Sequence, residues 1–235
     1  MGLSGIQIMD DWDEFPAACM TTSATVDAAP MVALNHMFYG LVGELSEHAE
    51  EIAGSSKALS ELADIFWYVG MSFTAIQTMG HKTNFGYKGF GDMLDELCIE
   101  AKTKADQHVN IQAMQLDLFR TIGHLGEVLK KIQFYGRKDY HTLTMELKDT
   151  LRGILVYIHH YLKMFHPNLT LFQMANALIG KPHIRFKEQF TLNERDNAQK
   201  HIEGNLFDHL VEYDKEVDTL AESVMDELGL TTDLK

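Results

Sequence analysis

Two short stretches decide how the chain folds: Glu44-Leu45-Ser46-Glu47 and, beyond a break at Gly54-Ser55-Ser56, Glu61-Leu62-Ala63-Asp64-Ile65-Phe66-Trp67-Tyr68-Val69. Around the first, Val32, Leu34, Phe38, Leu41, Leu45 and Ala49 form a stripe at helical spacing; around the second, Leu59, Leu62, Ile65, Phe66 and Val69 form another. Residues 31–166 contain no proline, which leaves room for long helices. Further helical patterns run over Asp92–His108, Ile111–Gln133 and Tyr140–Phe165, the last stopped by Pro167 and Asn168. Glycines at 80, 86, 89 and 91 mark a break, and a mixed basic and aromatic stretch follows Gly180–Pro182. An acidic helix is predicted over Asn205–Leu228. No alternating strand pattern stands out. The fold class predicted is all-α, an antiparallel helical bundle.

The chain also reads as a duplication. Gly43-Glu44-Leu45-Ser46-Glu47-His48-Ala49-Glu50-Glu51-Ile52 aligns without a gap on Gly123-His124-Leu125-Gly126-Glu127-Val128-Leu129-Lys130-Lys131-Ile132, and Glu61-Leu62-Ala63-Asp64 on Glu146-Leu147-Lys148-Asp149. The gap differs, with 14 positions from Glu47 to Glu61 and 19 from Glu127 to Glu146. Two tandem helix pairs are therefore expected, over 31–79 and 117–165. The acids coincide as well as the apolar positions, which chance similarity of two amphipathic pairs would not require.

In the first copy Glu44/Glu47 and Glu61/Asp64 are each spaced i, i+3, which puts both members on one helix face. Each pair flanks an apolar stripe, so each should turn toward the neighbouring helix. Four carboxylates meeting between two helices repel one another and raise each other's pKa unless cations neutralise them. An all-oxygen set selects Mg²⁺, with Mn²⁺ as substitute, over Zn²⁺. A lone ExxE is usually solvated surface; ExxE, a short gap and ExxD leading into so apolar a helix is a rarer combination.

Composition narrows the function classes. Among 235 residues, 34 acids against 20 lysines and arginines give a formal charge of −14. Such a surface repels phosphate backbones and anionic membranes, so neither nucleic acid nor membrane is an expected partner. No run of about 18 apolar residues suggests a membrane span. Cys19 and Cys98 are isolated, against both disulfide scaffolds and thiolate zinc sites. Met1–Glu14 is acidic and lacks a basic-then-apolar pattern, so a cytoplasmic location is expected. A di-iron bundle needs ExxH, and none of the 12 histidines has a glutamate three residues before it. His-Asp, P-loop and HExxH motifs are absent.

The stretch Leu34–Glu47 together with Glu61–Tyr68 resembles the MazG-like all-α nucleoside triphosphate pyrophosphohydrolases, a superfamily that also holds dimeric dUTPases and phosphoribosyl-ATP pyrophosphohydrolases. The second copy is similar to the same family through Gly126-Glu127, Phe134-Tyr135-Gly136-Arg137 and Glu146–Asp149, and Asn176–Asp196 resembles its substrate-closing tail, with spacing interrupted by Pro182 and Glu194. The organisation implied is an extension over 1–30, a first repeat with connecting helix over 31–116, a degenerate second repeat with tail over 117–200, and an acidic helix over 201–235.

The resemblance implies cleavage of a (deoxy)nucleoside triphosphate to the monophosphate and pyrophosphate. Glu44, Glu47, Glu61 and Asp64 would be the metal ligands, with Glu47 and Glu61 also catalytic. Substrate contacts are expected from Lys181, Arg185, Asn193 and Asp196 in the tail, with Arg195 and Lys138 as further cations, and from Arg137, Trp67 and Asn35. His124, Glu127, Glu146 and Asp149 form a candidate degenerate second site, in which His124 replaces the first acid. Family members pair subunits to complete a site, so a homodimer of the tandem chain is the expected assembly. The alternatives are a dUTPase-type activity and a non-catalytic nucleotide-binding or helical interaction protein; the preferred base is left open.

Overall fold

The computed structural model describes residues 9–21, 29–79, 85–105, 110–185 and 207–220; of residues 21, 98–105 and 180–185 it describes the backbone alone. The described residues form helices and no strands: α1 (Glu14–Thr21), α2 (Pro30–Glu50), α3 (Ser56–Thr78), α4 (Phe90–Ala105), α5 (Ile111–Tyr135), α6 (Tyr140–Phe165), α7 (Leu171–Arg185) and α8 (207–220). None is long and apolar enough to cross a membrane.

Local chemistry sets most of the boundaries. Pro30 opens α2, where a missing N–H costs nothing. Ser55 caps α3, its hydroxyl accepting from the Ala58 N–H at 3.1 Å, and Gly54 takes the φ of +76° that the turn between α2 and α3 needs. Asn110 and Asp139 cap α5 and α6 in the same way, and Gly136 ends α5 in the left-handed region.

The α2–α3 and α5–α6 hairpins pack along their lengths, α2 lies against α5, and α4 packs on α6. At the α2–α5 crossing Gly126 leaves room for the Phe38 ring, since a Cβ there would stand 2.5 Å from it and the ring would have to turn aside. Helix α3 is the central element, touching α1, α2, α6 and α7. Its Leu59, Leu62, Ile65, Phe66, Val69, Met71 and Ile76 are fully buried. Each such side chain contributes on the order of 1.5–3 kcal/mol of burial.

Helix α1 lies in what the sequence suggested was an extension. It belongs to the core, with Phe15 and Cys19 seated on Gly70 of α3 and Phe15 stacked on Phe66 at 4.7 Å. The glycine break also shifts. Gly89 precedes α4 and Gly91 lies inside it, fastened by its N–H to Asp13 at 2.9 Å. Helix α7 runs through Gly180–Pro182 to Arg185. The apolar face of Met174, Ala175 and Leu178 buries this helix against α1 and α3.

A buried polar knot joins the two hairpins. The Ala58 carbonyl can only accept, so His48 Nδ1 carries the proton it shares at 2.8 Å. In the neutral ring Nε2 then accepts from the Tyr157 hydroxyl at 2.9 Å, which itself accepts from Gln115 Nε2 at 2.7 Å. Burial lowers the His48 pKa, in keeping with the neutral form. Nearby, the Gly54 N–H donates to the Tyr161 hydroxyl at 2.8 Å, tying the α2–α3 turn to α6.

Candidate metal centre

The tied turn fixes the register of α2 against α3, and the register sets which acids meet. Glu44 of α2 and Glu61 and Asp64 of α3 each bring one carboxylate oxygen to within 4.8 Å of the others, and all three are half-buried. The sequence placed Glu47 with them, but Glu47 is exposed and stands outside this group. Helical geometry explains the difference. Residues three apart sit about 60° from each other around the axis, and the α2 seam of Leu41, Leu45 and His48 lies on the other side of Glu44.

One turn away, Tyr68 closes the cluster. It follows Asp64 by four residues, and its ring lies on the backbone of Gly40, four residues before Glu44. Its hydroxyl is pushed well above the ordinary tyrosine range by burial first, then by the charges of Glu44 and Asp64. His36, a further turn back on α2, meets Tyr68 edge-on at 5.8 Å and Trp67 at 6.3 Å, and burial lowers its pKa. Trp67 and Tyr68 pack edge to face at 4.8 Å. The acids therefore border an aromatic wall. ExxE and ExxD spacing does not point to His36 or Gly40; the signal is the four-residue ladder His36–Gly40–Glu44 on α2, opposite Asp64–Tyr68 on α3.

At the opposite edge stands Lys57, on the first turn of α3. It is ion-paired with Glu51, and that bond, then the charges of Glu61 and Glu47, raises its pKa. Spacing gave no hint of it, because Lys57 belongs to the turn rather than to either motif.

The donor set is compatible with a hard divalent cation: three convergent oxygen ligands, no sulfur, and partial burial that strengthens their mutual repulsion. Among the described residues these three form the one such group.

The remaining candidate residues lie apart. Asn35 donates its amide to the Met31 carbonyl of its own helix at 2.8 Å. In the second hairpin His124, Glu127 and Asp149 are exposed and Glu146 is half-buried. Glu127 is ion-paired with Lys130, and Asp149 with Arg152 at 2.6 Å. These acids are not brought together as the first set is. Arg137 and Lys138 are exposed in the loop after α5. Lys181 and Arg185 fall in α7, and Asn193, Arg195 and Asp196 lie outside the described residues. A separate groove of about 420 Å³, lined by Trp12, Leu94, Leu162, Leu169 and Phe172 among others, contains none of Glu44, Glu47, Glu61 and Asp64.

Comparison of the chain with protein-family models, curated proteins and solved structures finds no match.

Proposed function

We propose that the chain is a metal-dependent nucleoside triphosphate pyrophosphohydrolase built from two tandem MazG-like helix pairs, the first of them active. The observation that carries this reading is the meeting of Glu44, Glu61 and Asp64 beside the Tyr68–Trp67–His36 wall. An acidic surface cannot hold a triphosphate by itself; Mg²⁺, when bound, supplies the charge that joins the two and stabilises the pyrophosphate leaving group.

Glu44, Glu61 and Asp64 would hold Mg²⁺, or Mn²⁺ in its place. Glu47, exposed at the rim, accepts the proton of the attacking water. Tyr68 and Trp67 form an apolar wall against which the nucleoside lies, and shield that side from solvent. The α–β bond is broken by in-line attack, leaving a monophosphate. In the second hairpin Lys130 and Arg152 hold the equivalent acids on the surface, which fits a structural rather than catalytic role.

The test is pyrophosphate release from a panel of NTPs and dNTPs with Mg²⁺, dUTP included. Asp64→Asn should abolish release with helical content unchanged. Undiminished turnover would refute the assignment; nucleotide binding without product would favour a non-catalytic binder.

A further inference from the structure

Helix α5 packs on α2 and α6 along one side, and its opposite side is exposed. On that side Leu116, Arg120, Gly123, Glu127, Lys130 and Phe134 follow one another at alternating steps of four and three. This is the spacing by which one helix lays a continuous seam against another. Leu116 is 71% exposed and Phe134 70%. Single exposed apolar side chains are ordinary, but these two bracket Gly123, where a Cβ would meet nothing within 4 Å. The apolar surface continues onto α2: Val42 is exposed, one turn beyond the Phe38 that meets Gly126.

The charges along the seam are self-complementary. Asp117 and Lys130 stand equally far from the midpoint between Gly123 and His124, and so do Arg120 and Glu127. A second α5 laid antiparallel across that midpoint sets Asp117 opposite the other copy's Lys130 and Arg120 opposite its Glu127. Two-fold symmetry repeats each pair. Phe134 then faces Ala113, large against small, and His124 faces Gly123. A parallel arrangement in register would set every charge against its own kind.

We propose that this face binds a second copy of the chain, the two α5 helices crossing antiparallel at Gly123–His124. The proposal does not depend on the metal centre. Within one copy Arg120 holds Asp117 at 3.1 Å and Lys130 holds Glu127. All four side chains are largely exposed, where such pairs are weak. Each carboxylate has lone pairs left for a second cation, so the dimer adds partners without breaking those already made. The chain's formal charge of −14 opposes association in general, but the two acids of the seam are matched by its two cations. The size is sufficient. Helix α5 has 25 residues and is about 37 Å long. With α2 beside it the face is about 20 Å wide. That offers about 700 Å² per copy, close to the ~800 Å² of a standard interface. The same patch on both copies closes the assembly at two.

The experiment is sedimentation velocity on the full chain over about 1–100 µM, a range that reaches the weak end of standard-size interfaces. The parent should be a dimer. Glu127→Arg and Arg120→Glu each set like charges opposite one another and should raise the dissociation constant at least about tenfold. The double variant carrying both changes should return to within a few-fold of the parent, and so should an equimolar mixture of the two single variants, in which opposite charges face each other again. Gly123→Gln fills the crossing point while favouring the helix, so it should weaken the dimer without loss of helical content. A parent that stays monomeric at the top of the range overturns the proposal. A dimer indifferent to both charge reversals and to Gly123→Gln overturns it too, because the copies then pair through another face. So does a mixture that associates no better than its two components.

Discussion

The Tyr68 ring lies so close to Gly40 that a Cβ there would stand 2.0 Å from its Cζ and 2.3 Å from its hydroxyl oxygen. This contact brings α2 and α3 together one turn from Glu44 and Asp64. An alanine in an exposed helix interior is ordinarily about 1 kcal/mol better than glycine. Here Gly40→Ala should instead destabilise the fold by about 1–3 kcal/mol through overpacking. Thermal unfolding checks it. In a Tyr68→Ala background the same substitution should become neutral or stabilising.

Glu44, Glu61 and Asp64 converge and Glu47 does not. Substituting any of the three by its amide should lower Mn²⁺ affinity at least tenfold and slightly raise stability in metal-free buffer, where like charges repel. Glu47→Gln should lower kcat with a much smaller loss of metal affinity. Metal titration and single-turnover rates separate the two classes. Equal losses of metal affinity across all four would place Glu47 among the ligands.

The His48 knot predicts a pH dependence. Burial holds the pKa of His48, and those of His36 and His166, below the ordinary histidine value of 6.5. The unfolded chain therefore binds more protons than the folded one below about pH 6.5. Stability is fully present above that pH and falls as pH drops toward the folded values. Melting temperatures between pH 5 and 7.5 should show this slope, and His48→Gln should reduce it. His48→Ala at pH 7.5 should cost about 2–4 kcal/mol, from a lost buried side chain and stranded partners at Ala58 and Tyr157.

Helix α8 is anchored through Asp214, which is buried, lies 3.4 Å from His166 Nδ1 and accepts from the Asn168 N–H at 2.9 Å. Asp214→Ala removes the acceptor while leaving both partners in place. Amide exchange over 207–220 should then rise by at least an order of magnitude, with α2 and α3 unaffected. Unchanged protection would mean that buried Phe207 and Val211, with the Asn168 amide on Asp218, suffice to hold the helix.

The bundle was legible where burial is one-sided. The stripes that place α2, α5 and α6 follow helical period, and Tyr140–Phe165 coincides with α6 end to end. Glu44, Glu61 and Asp64 were legible for the same reason, because i, i+3 spacing beside a seam fixes a direction. Glu47 was not, since spacing says that two side chains share a face but not which of them the neighbour reaches. Helices α1 and α7 were hidden because partners far away in the chain, Gly70 for Phe15 and Cys19 and the α1–α3 surface for α7, supply their stability. The aromatic wall was half legible. Trp67 and Tyr68 follow Asp64 directly, but their neighbours His36 and Gly40 are set by the antiparallel register, which no local pattern records.

Pyrophosphohydrolase activity is measured most directly by product analysis after incubating the full chain with each NTP and dNTP and Mg²⁺. Nucleoside monophosphate and pyrophosphate are expected in equal amounts from at least one substrate, with dependence on Mg²⁺ and loss of both products in Glu61→Gln and Asp64→Asn. Release of orthophosphate and diphosphate, no turnover of any nucleotide, or full activity in those two variants would contradict the assignment.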